Sequence, residues 1–129
     1  NLTEGHYLTF EKDGKALQHK GHKLSLTNAC NDHDGKDMRF VLWWQGKNPK
    51  DNAFYISTAD KHDRKYIASS LELTTKEKAA QFSIADLGNG KGHVITEIDS
   101  GKQLSVEKDG SVALTKNASD AFKVFSVTF

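Results

Sequence analysis

Leu24-Ser25-Leu26-Thr27, Leu71-Glu72-Leu73-Thr74 and Val112-Ala113-Leu114-Thr115 are three copies of one short pattern. Each sets two apolar residues around a polar or small one and closes on Thr. A polar loop and a Phe-led stretch follow each copy: Phe40-Val41-Leu42, Phe82-Ser83-Ile84 and Phe122-Lys123-Val124, with Phe125-Ser126-Val127 as a second register for the third. Leu71 precedes Val112 by 41 residues and Phe40 precedes Phe82 by 42. Apolar and polar residues that alternate one by one mark a strand, whose side chains point to opposite faces in turn. A repeat of about 40 residues built from such strands predicts a threefold β architecture.

Working outward, the alternation predicts twelve strands. They cover His6 to Lys12, Lys15 to Lys20, Lys23 to Asn28 and Arg39 to Gln45 in the first unit. The second unit holds Ala53 to Ala59, Lys65 to Ser69, Leu71 to Thr75 and Gln81 to Leu87. The third holds His93 to Asp99, Lys102 to Lys108, Ser111 to Lys116 and Ala121 to Phe129. His6 to Leu17 aligns with His93 to Leu104 without a gap, and the turns carry Asp13-Gly14, Ser100-Gly101 and Asp109-Gly110. Twelve strands in three groups of four predict an all-β β-trefoil, one domain over residues 1–129 with repeats at about 1–45, 46–87 and 88–129. The expected core layers are Leu17, Ile67 and Leu104; Leu26, Leu73 and Leu114; Phe40, Phe82 and Phe122 or Phe125; and Leu8, Ile56 and Ile95.

Composition narrows the functional classes. The 18 Lys and Arg residues are interleaved with 17 Asp and Glu, for a net charge of +1, so no basic footprint for nucleic acid or an anionic membrane is visible. No apolar run reaches the roughly 18 residues of a membrane span. Cys30 is the single cysteine, which excludes an intrachain disulfide. An Asn at position 1 and the sequons at Asn1 and Asn117 point to a processed, secreted chain; the lack of disulfides points the other way, to a cytoplasmic one.

The chain resembles β-trefoils of the fascin and hisactophilin group. The resemblance is carried by Gly5-His6-Tyr7-Leu8-Thr9 and by His19-Lys20-Gly21-His22-Lys23. It implies actin or cytoskeleton binding. Ricin-type sugar-binding trefoils repeat a Gln-x-Trp motif that is missing here, so their galactose site is not carried over. Arg39 to Trp44 is loosely similar to the Trp-rich fourth strand of fungal trefoil protease inhibitors, which implies inhibition through an exposed loop such as Gly46 to Asn52.

Chemistry-bearing patterns are few. There is no nucleophile elbow, no phosphate-cradling glycine loop and no zinc-protease motif, so no catalytic residue and no cofactor are expected. Placing Gly35 at position six of a calcium loop puts Cys30 at position one and Val41 at position twelve, both wrong ligands. His19, His22, His33 and Cys30 have no ligand spacing, so no metal site is expected. Trp43-Trp44 is the strongest local feature. Alternation from Phe40 places Trp44 on the core face and Trp43 outside, where an indole offers a flat platform for a sugar ring. The expected function is a non-enzymatic, lectin-like module with Trp43, Tyr55, Tyr66, Asn48 and Asn52 as its site and a glycan or glycoprotein as partner. Cytoskeletal binding and protease inhibition are the alternatives.

Overall fold

The computed structural model describes residues 7–28, 36–116 and 120–127. The expectations placed on Cys30, His33, Gly5-His6 and both sequons therefore fall outside the described residues. The first four strands are β1 (Tyr7–Lys12), β2 (Lys15–Lys20), β3 (Lys23–Asn28) and β4 (Phe40–Trp44). Next come β5 (Phe54–Thr58), β6 (Tyr66–Ile67), β7 (Leu73–Thr74) and β8 (Phe82–Asp86). The last four are β9 (His93–Glu97), β10 (Gln103–Val106), β11 (Val112–Thr115) and β12 (Lys123–Val127). All twelve expected strands form, within one antiparallel sheet. Among the described residues the helical turns are two short 3₁₀ segments, Lys36–Met38 and Lys76–Lys78, and no helix is long and apolar enough to cross a membrane.

Six strands pair in a circuit. β1 pairs with β4, β4 with β5, β5 with β8 and β8 with β9. A bridge between His93 and Phe122 joins the start of β9 to the residue just before β12, which pairs back with β1. The other six strands form the hairpins β2 with β3, β6 with β7, and β10 with β11. Bridges Lys23 to Glu72 and Ser25 to Ser111 tie these hairpins to one another.

Registers recur as well as elements. Leu17 lies opposite Leu26, Ile67 opposite Leu73, and Leu104 opposite Leu114. Leu8 faces Phe40, Phe54 faces Phe82, and His93 faces Phe122. Leu42 faces Ile56, Ile84 faces Ile95, and Val124 faces Phe10. The last two series correct the expected alignment. Phe10, not Leu8, matches Ile56 and Ile95; Leu8 matches Phe54 and His93. The gap-free alignment of His6 onto His93 misses this because the β1 to β2 turn has two residues between Lys12 and Lys15. The β9 to β10 turn, closed by Glu97 N–H donating to Lys102 O at 2.8 Å, has four.

The core follows these registers. Phe40, Phe82 and Phe122 are buried, as are Leu17, Ile67, Leu104, Leu8, Ile56 and Ile95. Phe10, Leu42 and Ile84 join them. Phe125, the second register for the third unit, is 44% exposed. Leu26 and Leu114 are only partly buried, though Leu73 is buried. β3 and β11 stand at the two ends of the pairing path, where Leu26 and Leu114 pack against the core while staying partly exposed, although Leu24 of β3 is buried. Trp44 is a clearer correction, 36% exposed where a core position was expected. Alternation fixes which face a side chain takes, but not whether anything lies over the strand's end.

Two hairpin turns share one backbone pattern with different residues. Ala68 N–H donates to Glu72 O and Leu71 N–H to Ala68 O; Glu107 N–H donates to Ser111 O and Gly110 N–H to Glu107 O. Leu71 thus stands where Gly110 stands, and both have positive φ, +64° and +88°. For an L-residue this left-handed conformation costs about 1–2 kcal/mol, which glycine avoids.

Candidate functional site

The Trp43 surface is assembled by the β4, β5 and β6 ladder. Trp43 lies directly opposite Tyr55, and Ser57 opposite Tyr66, so the pleat puts these four side chains on one face. Tyr55 and Tyr66 meet edge to face, with ring centroids 6.1 Å apart at 81°. This is a favoured arrangement, because the positive edge of one ring meets the negative face of the other. All three aromatic residues are half-buried. The structure therefore brings Trp43, Tyr55 and Tyr66 together.

Trp43 is more tied down than a free platform. Its Nε1–H donates to the Oγ of buried Ser57 at 2.7 Å, and that hydroxyl donates to Thr58 O at 3.0 Å. The Arg64 guanidinium carbon sits 4.6 Å from the indole centroid, a cation–π contact. Arg64 Nε is buried and has no hydrogen-bond partner among the described residues. The indole is thus fixed in orientation, with a cation and its donors held against it.

Asn48 and Asn52 belong to the neighbouring loop. The loop base is closed by Gln45 N–H donating to Ala53 O at 2.8 Å. Its tip is a four-residue turn, Asn48-Pro49-Lys50-Asp51, closed by Asp51 N–H donating to Asn48 O at 2.9 Å. Asp51 Oδ2 accepts from Lys47 N–H at 2.8 Å and Asn48 N–H at 3.0 Å. These bonds, that from Asn48 first, hold the exposed Asp51 carboxyl below the usual aspartate range. The Trp44 Nε1–H donates to Asp51 O at 2.9 Å, and its ring lies against Gly46. A Cβ at Gly46 would fall 2.7 Å from that ring, so only glycine fits there. Asn52 is committed elsewhere. Its Nδ2 donates to Ile84 O at 2.7 Å and its Oδ1 accepts from Ile84 N–H at 2.9 Å, imitating a rung of the ladder. That amide thus helps hold the loop to β8, with one N–H and one lone pair engaged.

Arg64 and Ser57 had no signal in the sequence, since strand register places Ser57 beside Trp43 and the connection from β5 to β6 brings Arg64 there. Asp51 did have one, because Asn-Pro-x-Asp is a turn pattern in its own right. Among the described residues no group of three or more His, Cys, Asp or Glu is placed to hold a metal ion. Comparison of the chain with models of known protein families and with curated proteins finds no match.

Proposed function

We propose that the protein is a non-enzymatic binding module of β-trefoil architecture that takes carbohydrate on the outer face of β4, β5 and β6. The trefoil reading is supported by the six-strand circuit and by the three tied hairpins with matching registers. The sugar reading is carried by one observation, the gathering of Trp43, Tyr55 and Tyr66 on one face beside the Arg64 guanidinium. A pyranose presents an apolar C–H face to an aromatic ring and hydroxyls at its rim. Phenol hydroxyls and guanidinium N–H groups are suitable rim partners. An indole already fixed by Ser57 loses little freedom on binding. A glycan or glycoprotein partner agrees with a secreted location.

The test is a glycan array followed by titration of the best hit. Trp43→Ala should weaken binding by roughly 1–3 kcal/mol, the scale of other aromatic stacking platforms, while the chain stays folded. No binding to any glycan, or amide shifts at residues 43, 55 and 66 that persist undiminished in Trp43→Ala, would overturn the reading. A second reading has its own observation. The braced turn at Asn48 to Asp51 holds Lys47 and Lys50 exposed on a preorganised loop, the form of a loop-based protease inhibitor. Inhibition of a Lys-cleaving serine protease that disappears in Lys47→Ala or Lys50→Ala would favour it.

A further inference from the structure

A separate cavity of about 440 Å³ lies between the β6 to β7 turn, the β9 to β10 turn and β11. Its volume falls within the roughly 300–1,000 Å³ of small-ligand sites. Glu97 and Ser100 form its polar side, together with Lys102 and the hydroxyls of Ser69 and Ser70. Leu71, Val112 and Leu114 form an apolar wall opposite in chemistry.

Glu97 is only 5% exposed. A buried carboxylate is costly unless ionic or hydrogen-bonding partners replace water. Ser100 Oγ donates to Glu97 Oε1 at 2.5 Å, and no ion pair joins Glu97 to Lys102 among the described residues. Lys102 N–H donates to that Ser100 Oγ at 3.2 Å, and the matched position of the second unit closes its turn without a carboxylate. Thr58 lies opposite Phe40 as Glu97 lies opposite Phe82. Thr58 N–H donates to Lys65 O at 2.8 Å just as Glu97 N–H donates to Lys102 O at 2.8 Å. At that matched position a threonine suffices, its Oγ1 accepting from Lys65 N–H at 3.0 Å. Leu71 is a second departure, a bulky side chain in the turn that uses Gly110 in the third hairpin. Both departures face the same cavity.

We propose that this cavity is a binding site for a single neutral pyranose, with the Glu97 carboxylate accepting hydrogen bonds from ligand hydroxyls. A carboxylate takes two adjacent hydroxyls in charge-assisted bonds, which replace the water it has lost. Lys102 and the serine hydroxyls donate to ligand oxygens, and the wall of Leu71, Val112 and Leu114 receives the C–H face. Ser100 orients the acceptor. The site shares its ligand class with the proposed function, and so rests on that reading, but it shares none of its residues.

The experiment follows backbone amides by NMR during titration with methyl glycosides of galactose, glucose, mannose and N-acetylglucosamine. One of them should shift residues 69–71, 97–102 and 112–114. Glu97→Gln, nearly isosteric, should weaken that binding about tenfold or more, and Trp43→Ala should leave it unchanged. Shifts confined to Trp43, Tyr55 and Tyr66 that ignore Glu97→Gln would overturn this site and leave the outer-face reading standing. Shifts at neither place would overturn both. If Glu97→Gln fails to fold, Ser100→Ala serves instead: a several-fold loss supports the site, and an unchanged affinity overturns it.

Discussion

Phe40, Phe82 and Phe122 hold one residue type at three matched joints of the strand circuit, each buried. The turns beside them differ at every matched place. Between the closing pairs Lys12 and Lys15, Thr58 and Lys65, and Glu97 and Lys102, these turns hold two, six and four residues. The joints are constrained by volume, because a close-packed interior registers even one methylene. The turns are constrained only to close, so their residues are free to carry chemistry. Trp44, Asp51, Arg64 and Glu97 all stand in or beside such connections.

The largest expected effect tests that division directly. Phe82→Ala should cost about 3–5 kcal/mol through the cavity it leaves, and Trp44→Ala, at a half-open strand end, well under half as much. Urea denaturation of the two variants measures both, and equal losses would erase the distinction. Gly110→Ala comes next, at about 1–2 kcal/mol. A Cβ there meets nothing closer than Leu26 O at 3.8 Å, so the cost is that of the backbone conformation alone. A much larger loss would mean that the matched turn at Leu71 tolerates its side chain for some reason other than space. The smallest effect is at Asp51. Its folded pKa is depressed, so its bracing is fully present above the ordinary aspartate value and is lost as pH falls through the lowered one. The Trp44 indole N–H resonance should report that acid-side change, and Asp51→Asn should abolish it. A loop that tightened on acidification would contradict the assignment.

All twelve strands and the three buried phenylalanines were legible because period-two alternation and residue size both survive in the sequence. The pairing of β1 was not, because a gap-free match between His6 and His93 hides a two-residue difference in turn length. Leu8 and Phe10 share a face, so alternation cannot choose between them. Trp43 and Trp44 illustrate the same limit at the candidate site. Their opposite faces could be read, whereas the Arg64 cover on one and the Gly46 contact of the other depend on loops. Asn52 resembled a surface hydrogen-bonding residue until its two bonds to Ile84 gave it a partner 32 positions away.

The circuit of strands alternates between strong and weak seams. β1 pairs with β12 from Tyr7 and Val127 to Glu11 and Lys123, β4 pairs with β5 over its whole length, and so does β8 with β9. By contrast β5 meets β8 only at Phe54 and Phe82, and β9 meets β12 only at His93 and Phe122. The long ladders run across the boundaries of the sequence repeat, while the short joints lie within each repeat. A single repeat cut out at residues 46–87 would therefore lose the ladders it makes with both neighbours and keep the single β5 to β8 pair and the short pairings of β6 with β5 and β7. The unit that recurs along the chain is therefore not the unit of pairing: the longest ladders join one repeat to the next, and the first strand is held against the last.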